Sequence, residues 1–244
     1  MRVTMIGAGY VGLVSGACFA DFGHTVTCVD KDPGKIDRLE KGVMPIFEPG
    51  LAELVASNVK EGRLSFSLDA KDAIKNADAI FIAVGTPSRR GDGHADLSYV
   101  YAAAKEIAEH MDGFTVVVTK STVPVGTGDE VEEIIRKTNP NAKFAVVSNP
   151  EFLREGAAIS DFKRPDRVVV GTDNEEARER MRELMDAEGS SALRRARLTR
   201  AFNQGYRSYS RTYNTCSPSA QTAITRFVTE GAQLSDGLVK TFPQ

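Results

Sequence analysis

Two sets of residues in this chain have types and spacings that can do chemistry. In the first, Gly7, Gly9 and Gly12 stand in a G-x-G-x-x-G spacing after a short apolar run of Val3, Met5 and Ile6, and Asp30 follows further on. Gly7 permits a tight turn off a strand. Gly9 has no Cβ, so a diphosphate can approach the backbone, and Gly12 lets the next helix pack close to the sheet. Free N–H groups and the positive end of that helix dipole then face the phosphates. Asp30 ends the second strand, Thr25 to Val29, where a carboxylate accepts from a ribose 2′-hydroxyl and repels a 2′-phosphate. That favours NAD over NADP, a preference Lys31 and Lys35 weaken slightly. A glycine turn that binds nothing is the plainer alternative, but strand, helix and distal acid occur here in the order the motif requires.

The second set is Glu151, Arg154 and Glu155. A carboxylate within hydrogen-bond reach can activate water near neutral pH. On a helical turn Glu151 and Glu155 are i,i+4 neighbours on one face, with Arg154 also near Glu151. Taken alone, these residues would be a surface charge cluster, and Thr122 a turn residue before Val123-Pro124.

Both sets need elements to hold them. A helical pattern with Leu13, Val14, Ala17 and Cys18 on its apolar side follows the glycines. Pro33 to Lys41 reads as a helix opened by Asp32 and stopped by Gly42, and Glu48-Pro49-Gly50 opens another with Leu51, Leu54 and Val55 at helical spacing. Leu64 to Leu68 reads as a strand, and Asp69 caps a helix over Ala70 to Asn76. Ala79 to Val84 is apolar throughout, as a parallel strand covered on both faces should be. Leu97 to Met111 and about Asp129 to Lys137 read as helices, Phe114 to Val118 and Phe144 to Val147 as strands. Arg167 to Val170 and Asn174 to Ala187 read as one more strand and one more helix. Strands alternating with helices predict an α/β, doubly wound, mostly parallel sheet of Rossmann type over residues 1–187. Ligands of such sheets sit beyond the carboxyl ends of the strands. Gly85-Thr86-Pro87, Ser121-Thr122-Val123-Pro124 and Asn149 to Gly156 all follow strands at that end, so three loops are expected to converge beside the glycine turn. Ser88 to Asp96 is a polar loop with turn residues Gly91 and Gly93.

Composition narrows the partners. The chain has 244 residues, 41% hydrophobic and 26% charged, with a formal net charge of -2. This balance argues against a general nucleic-acid or membrane-surface binder. The longest apolar run, Ala79 to Val84, is far too short to span a bilayer. Cys18, Cys28 and Cys216 form no C-x-x-C pair, and Cys18 and Cys28 read as core thiols. An odd count without a signal peptide points to a reducing, cytoplasmic setting. His24, His94 and His110 show no metal-ligand spacing, so no metal is expected.

The motifs together resemble a known family. GAGYVG over Gly7 to Gly12, Gly85-Thr86-Pro87, STVPVG over Ser121 to Gly126 and NPEFLREG over Asn149 to Gly156 are similar to the UDP-glucose 6-dehydrogenases, and much of the pattern is shared with the GDP-mannose 6-dehydrogenases. The loop wording and Phe162-Lys163-Arg164-Pro165-Asp166-Arg167 look more like the UDP-glucose branch. The resemblance covers Met1 to about Ala187. It implies a four-electron oxidation in which NAD takes a hydride from C6 of UDP-glucose and an enzyme cysteine holds the aldehyde. A second NAD takes another hydride, and the thioester is hydrolysed to UDP-glucuronate, a precursor for polysaccharides. Carried over by position, Val11, Asp30, Lys35, Thr86, Thr122 and Glu155 would contact NAD. Glu151, Phe152, Leu153, Arg154 and Glu155 would line the sugar site. Glu151 resembles the acid–base residue of thioester hydrolysis, and Thr122 would help hold a catalytic water.

The departure begins near Glu188. The family places a lysine and an asparagine on a long central helix, through which its members pair, and then a cysteine in a GGSCFPKD-like loop. Residues 188–244 instead carry Arg194, Arg195, Arg197, Arg200, Arg207, Arg211 and Arg226, with Lys240 the only lysine, and are crowded with serine and threonine. Cys216 sits in Asn214-Thr215-Cys216-Ser217-Pro218 and is not assigned as the nucleophile. The segment reads as an irregular, disordered or poorly packed tail, produced by a shifted frame or left as a truncated remnant. The oligomeric state stays open.

Overall fold

In the computed structural model, residues 1–89, 94–165 and 168–185 are described. The chain opens with β1 (Arg2–Ile6), α1 (Tyr10–Asp21), β2 (Thr25–Val29), α2 (Pro33–Glu40) and α3 (Leu51–Lys60). It continues through β3 (Leu64–Ser67), α4 (Lys71–Lys75), β4 (Ala79–Ile82), α5 (Ser98–His110) and β5 (Phe114–Thr119). It then forms α6 (Thr127–Thr138), β6 (Lys143–Ser148), α7 (Ala158–Lys163) and α8 (Glu175–Met185).

The strands form one six-stranded sheet in the order β3-β2-β1-β4-β5-β6. Every pairing within it is parallel. This is the doubly wound order, whose switch point lies between β1 and β4, outward from which the two halves wind in opposite directions. β4 shows why the central strands are apolar without alternation. Phe81 points into one core layer with Met5, Phe19 and Val118, under α1. Ile80 and Ile82 point into the other, with Ile107 of α5 and Ile135 of α6. Each such buried side chain contributes about 1.5–3 kcal/mol relative to exposure.

Most elements lie where the sequence puts them, with ends shifted by one or two residues. Asp32 caps α2 by accepting from the amides of Gly34 and Lys35, and Asp69 accepts from Lys71 at the start of α4. Cys18 and Cys28 are free and fully buried.

Three readings change. Val168 to Val170 do not form a strand; Gly171 instead makes an isolated antiparallel bridge to Ser148 at the end of β6, which does not extend the parallel sheet. The helix α7 was not read from sequence, because its six residues are too few to display a period. Asn149 to Arg154 is not helical; α7 begins only at Ala158, after a turn at Gly156 with φ +84°. Pro150 and that left-handed glycine keep the loop from continuing as a helix. Gly91 and Gly93, the tail from Glu188 and Cys216 lie outside the described residues.

Candidate functional site

The glycine turn is built by close backbone packing. Gly7 donates to Val29 O at 2.7 Å and has φ +106°; a Cβ there would meet Ala83 O at 2.6 Å. A Cβ on Gly12 would lie 1.8 Å from Gly7 O. Both positions therefore require glycine so that β1, α1 and the segment after β4 can approach one another. Gly9 differs: a Cβ there would meet nothing within 4 Å. It is the N-cap of α1, and no side chain caps the helix. Open space thus stands directly over an uncapped helix N-terminus, the arrangement a diphosphate needs. These residues fit a dinucleotide.

Asp30 closes the turn from the neighbouring strand. Its Oδ2 accepts from the Ala8 amide at 2.8 Å and from Lys35 Nζ at 2.6 Å, and its Oδ1 accepts from the Asp32 amide at 3.1 Å. Burial pushes the carboxyl pKa up, but the Lys35 ammonium and the two amides outweigh it and hold the group below the usual carboxylate range. A carboxylate has about four lone-pair sites, so capacity remains for a ribose hydroxyl. Val11 lies in the first turn of α1, partly buried against the core.

Loops after β4, β5 and β6 gather beside this turn. Thr86 Oγ1 donates to Thr122 O at 3.0 Å, and Ser121 Oγ donates to Val84 O at 2.7 Å, so the first two loops are stitched together. Asn149 donates from its amide to Thr119 O at 3.0 Å and from Nδ2 to Val169 O at 2.8 Å, anchoring the third. A pocket of about 420 Å³ opens against this loop, lined by Lys120, Asn149, Glu151 to Arg154 and Phe162 among others.

The charges in the loop pair differently from the helical-turn reading. Arg154 turns to Asp161, with Nη2 2.7 Å from Oδ1 and Nε 3.0 Å from Oδ2, and holds the Asp161 carboxyl below its usual range. Glu151 does not share a helix face with Glu155. It pairs with Lys120, whose Nζ lies 3.0 Å from Glu151 Oε2. Both side chains are almost buried, at 5% and 11% exposure. Lys120 Nζ also approaches Asn149 Oδ1 at 3.3 Å and lies 5.6 Å from the centre of the Phe162 ring. Glu151 Oε1 accepts from the Phe152 amide at 2.6 Å. The ion pair leaves Oε2 buried without a well-aligned hydrogen bond. Phe152 is 40% exposed, and Leu153 packs partly buried against the core.

Sequence reasoning missed Lys120 and Glu48. Lys120 precedes the STVPVG motif and is 4% exposed; its signal was a lysine at the carboxyl end of an otherwise apolar strand. Glu48 is 6% exposed and accepts from Tyr10 Oη at 2.6 Å, from the Gly156 amide at 2.8 Å and from the Ala158 amide at 2.9 Å. Its sequence neighbours Pro49 and Gly50 announce only a helix start. Among the described residues no group of His, Cys, Asp and Glu could hold a metal ion, and no helix is long and apolar enough to cross a membrane.

Comparison with known proteins agrees with this geometry. Residues 1–187 match the NAD-binding domain of the UDP-glucose/GDP-mannose dehydrogenase family. A UDP-glucose 6-dehydrogenase of Rhizobium meliloti (strain 1021) is 74% identical over 180 residues, covering 74% of this chain and 41% of that protein. UDP-glucose 6-dehydrogenase TuaD of Bacillus subtilis (strain 168) is 53% identical over 184 residues, or 75% of this chain and 40% of that protein. The solved UDP-glucose dehydrogenase of Pyrobaculum islandicum superposes with TM-score 0.77 at 38% identity, covering 86% of this chain and 49% of that one. A GDP-mannose dehydrogenase from Pseudomonas aeruginosa gives 0.78 at 33% identity, covering 94% and 52%. The chain thus spans about 40% of the length of these curated relatives. Residues 165–242 match a second family, described as a protein of unknown function (DUF2385). The uncapped glycine turn, the acid joined to it and the matched sequence over residues 1–187 carry one conclusion: this chain belongs to the UDP-glucose/GDP-mannose dehydrogenase family.

Proposed function

We propose that residues 1–187 bind NAD and form the cofactor half of a nucleotide-sugar 6-dehydrogenase, with UDP-glucose as the sugar nucleotide. The observation that carries this reading is the joint between Asp30 and the glycine turn through the Ala8 amide, beside the open space at Gly9. The backbone amides at Tyr10 and Val11 face the diphosphate. Asp30, kept ionised by Lys35, accepts from the adenosine ribose. Thr86, Thr122 and Glu155 frame the far end of the dinucleotide. Bound NAD supplies the hydride acceptor.

Glu151 is suited to proton transfer on the sugar side. It lines the pocket beside the loop after β6, where a carboxylate can take a proton from water or a sugar hydroxyl. Lys120 offsets the carboxylate charge at a depth where an unpaired charge would be strongly disfavoured. Thr122 helps hold the water. Phe152, Leu153 and Arg154 shape the pocket that receives the hexose. Buried free thiols at Cys18 and Cys28 support a reducing, cytoplasmic setting.

A second reading is favoured by one observation: residues 188–244 contain no glycine-rich cysteine loop, and Cys216 sits between Thr215 and Ser217. In that reading the chain binds NAD without turning over a nucleotide sugar. Titration with NADH, followed by ligand fluorescence, tests the binding. NADH production on adding UDP-glucose, with GDP-mannose in parallel, separates the readings. Saturable binding with production from UDP-glucose supports the dehydrogenase. Binding without production from either sugar supports the non-catalytic reading. Failure to bind NADH ends both.

A further inference from the structure

We infer that Glu48 is a positioning residue that couples the cofactor turn to the loop carrying Glu155; the inference rests on the NAD-binding reading above. Glu48 is a buried carboxylate held by a phenol and by backbone amides. Its Oε2 accepts from Tyr10 Oη and the Gly156 amide, and its Oε1 from the Ala158 amide. Burial pushes its pKa up, but the Tyr10 hydroxyl and the amides of Gly156, Ala158 and Ile159 outweigh that and hold it below the usual carboxylate range. A charge so deep, satisfied by one phenol and a run of backbone amides, is fixed in place, because each donor also fixes the others.

The three groups it joins belong to different parts of the site. Tyr10 is the first residue of α1, so its own amide lies at the helix end that faces a diphosphate. Gly156 follows Glu155 directly and turns the chain at φ +84°. Glu48 itself precedes the start of α3, with the Leu51 amide donating to Glu48 O at 3.1 Å. The Tyr10 phenol is raised above its ordinary pKa by burial first, then by Glu48, and the Glu155 charge adds to the rise. Glu155 is thus tied to Tyr10 through the chain itself, as the residue before the Gly156 amide that Glu48 holds. Displacing the phenol frees Glu48 Oε2, loosens the Gly156 turn and lets Glu155 drift from its place relative to the cofactor.

The test is a double-mutant cycle on NADH affinity in the full chain, using Tyr10→Phe and Glu155→Gln. Glu155→Gln is expected to weaken NADH about fivefold in the wild-type background and less than twofold in Tyr10→Phe. Glu48→Gln provides a second background with the same expectation, since an amide cannot accept from all three donors. Thermal midpoints of all variants accompany the cycle; a role confined to stability shifts the midpoints but leaves the affinity changes multiplicative. Multiplicative effects in both backgrounds overturn the inference. So does a Glu155→Gln variant that binds NADH as the wild type does. If the wild-type chain binds no NADH, the cofactor reading itself falls, an outcome distinct from either of these.

Discussion

The Ala8 amide donates to Asp30 Oδ2 at 2.8 Å, which ties the glycine turn after β1 to the acid at the end of β2. One carboxylate thus holds the turn in shape and, in the NAD-binding reading proposed above, also presents an acceptor to a ribose. The two roles can be separated. Asp30→Asn keeps the side-chain shape and one acceptor oxygen but loses the charge that pairs with Lys35. A hydrogen bond to a charged group contributes about 1.5–3 kcal/mol. Asp30→Ala is expected to weaken NADH binding by about tenfold or more, and Asp30→Asn by less. Parallel NADH titrations and thermal melts check both.

Gly9 and Gly12 should respond in opposite ways. Gly9 has φ -78° and ψ -167°, a conformation open to any residue, and space around its missing Cβ. Gly9→Val is expected to destabilise the fold only by about 1 kcal/mol, the cost of a β-branched residue at a helix N-cap, while abolishing measurable NADH binding. Gly12→Ala drives a methyl against Gly7 O and should destabilise the fold by about 2 kcal/mol or more. Urea unfolding of the two variants beside NADH titration distinguishes a ligand-facing glycine from a packing one.

Lys120 and Glu151 form a nearly buried ion pair. Removing one partner of such a pair leaves an uncompensated charge and typically destabilises by about 3–5 kcal/mol, whereas removing both is milder. Lys120→Met is therefore expected to lower stability more than Lys120→Met with Glu151→Gln. A urea-unfolding comparison of wild type, the single and the double variant checks the order.

His24 sets a pH dependence of stability. Its ring is 7% exposed, with Nε2 3.0 Å from Leu184 O and Nδ1 3.4 Å from the Met1 amine. Burial lowers its pKa in the folded chain; the Leu184 carbonyl and the Glu183 charge oppose that, and the chain's amino group adds to it. With the folded pKa below the unfolded value of about 6.5, the unfolded chain binds more protons in between, and stability rises with pH across that window. Its contribution is complete above about pH 6.5 and is lost as pH falls toward the folded pKa. His24→Gln should flatten the difference in thermal midpoint between pH 5 and pH 7, measured against wild type in the same buffers.

The sequence alone determined the α/β alternation, the glycine turn, the acid after β2 and the arrival of three loops at one end of the sheet. Each of these is a local property. Glycine spacing, apolar runs and cap residues constrain the backbone within a few positions, so they can be read from neighbours in the chain. What the tertiary structure decided is which charges meet. Arg154 lies three residues from Glu151 yet pairs with Asp161, while Glu151 takes Lys120 from the end of β5, and Glu48 binds Tyr10 and Gly156. Those pairings depend on β5 lying beside β6 and on α7 starting where Gly156 turns the chain. A carboxylate's partner is selected by which strand ends the sheet order brings together and how much water the packing removes around them, and neither quantity is a property of the residues beside it in sequence.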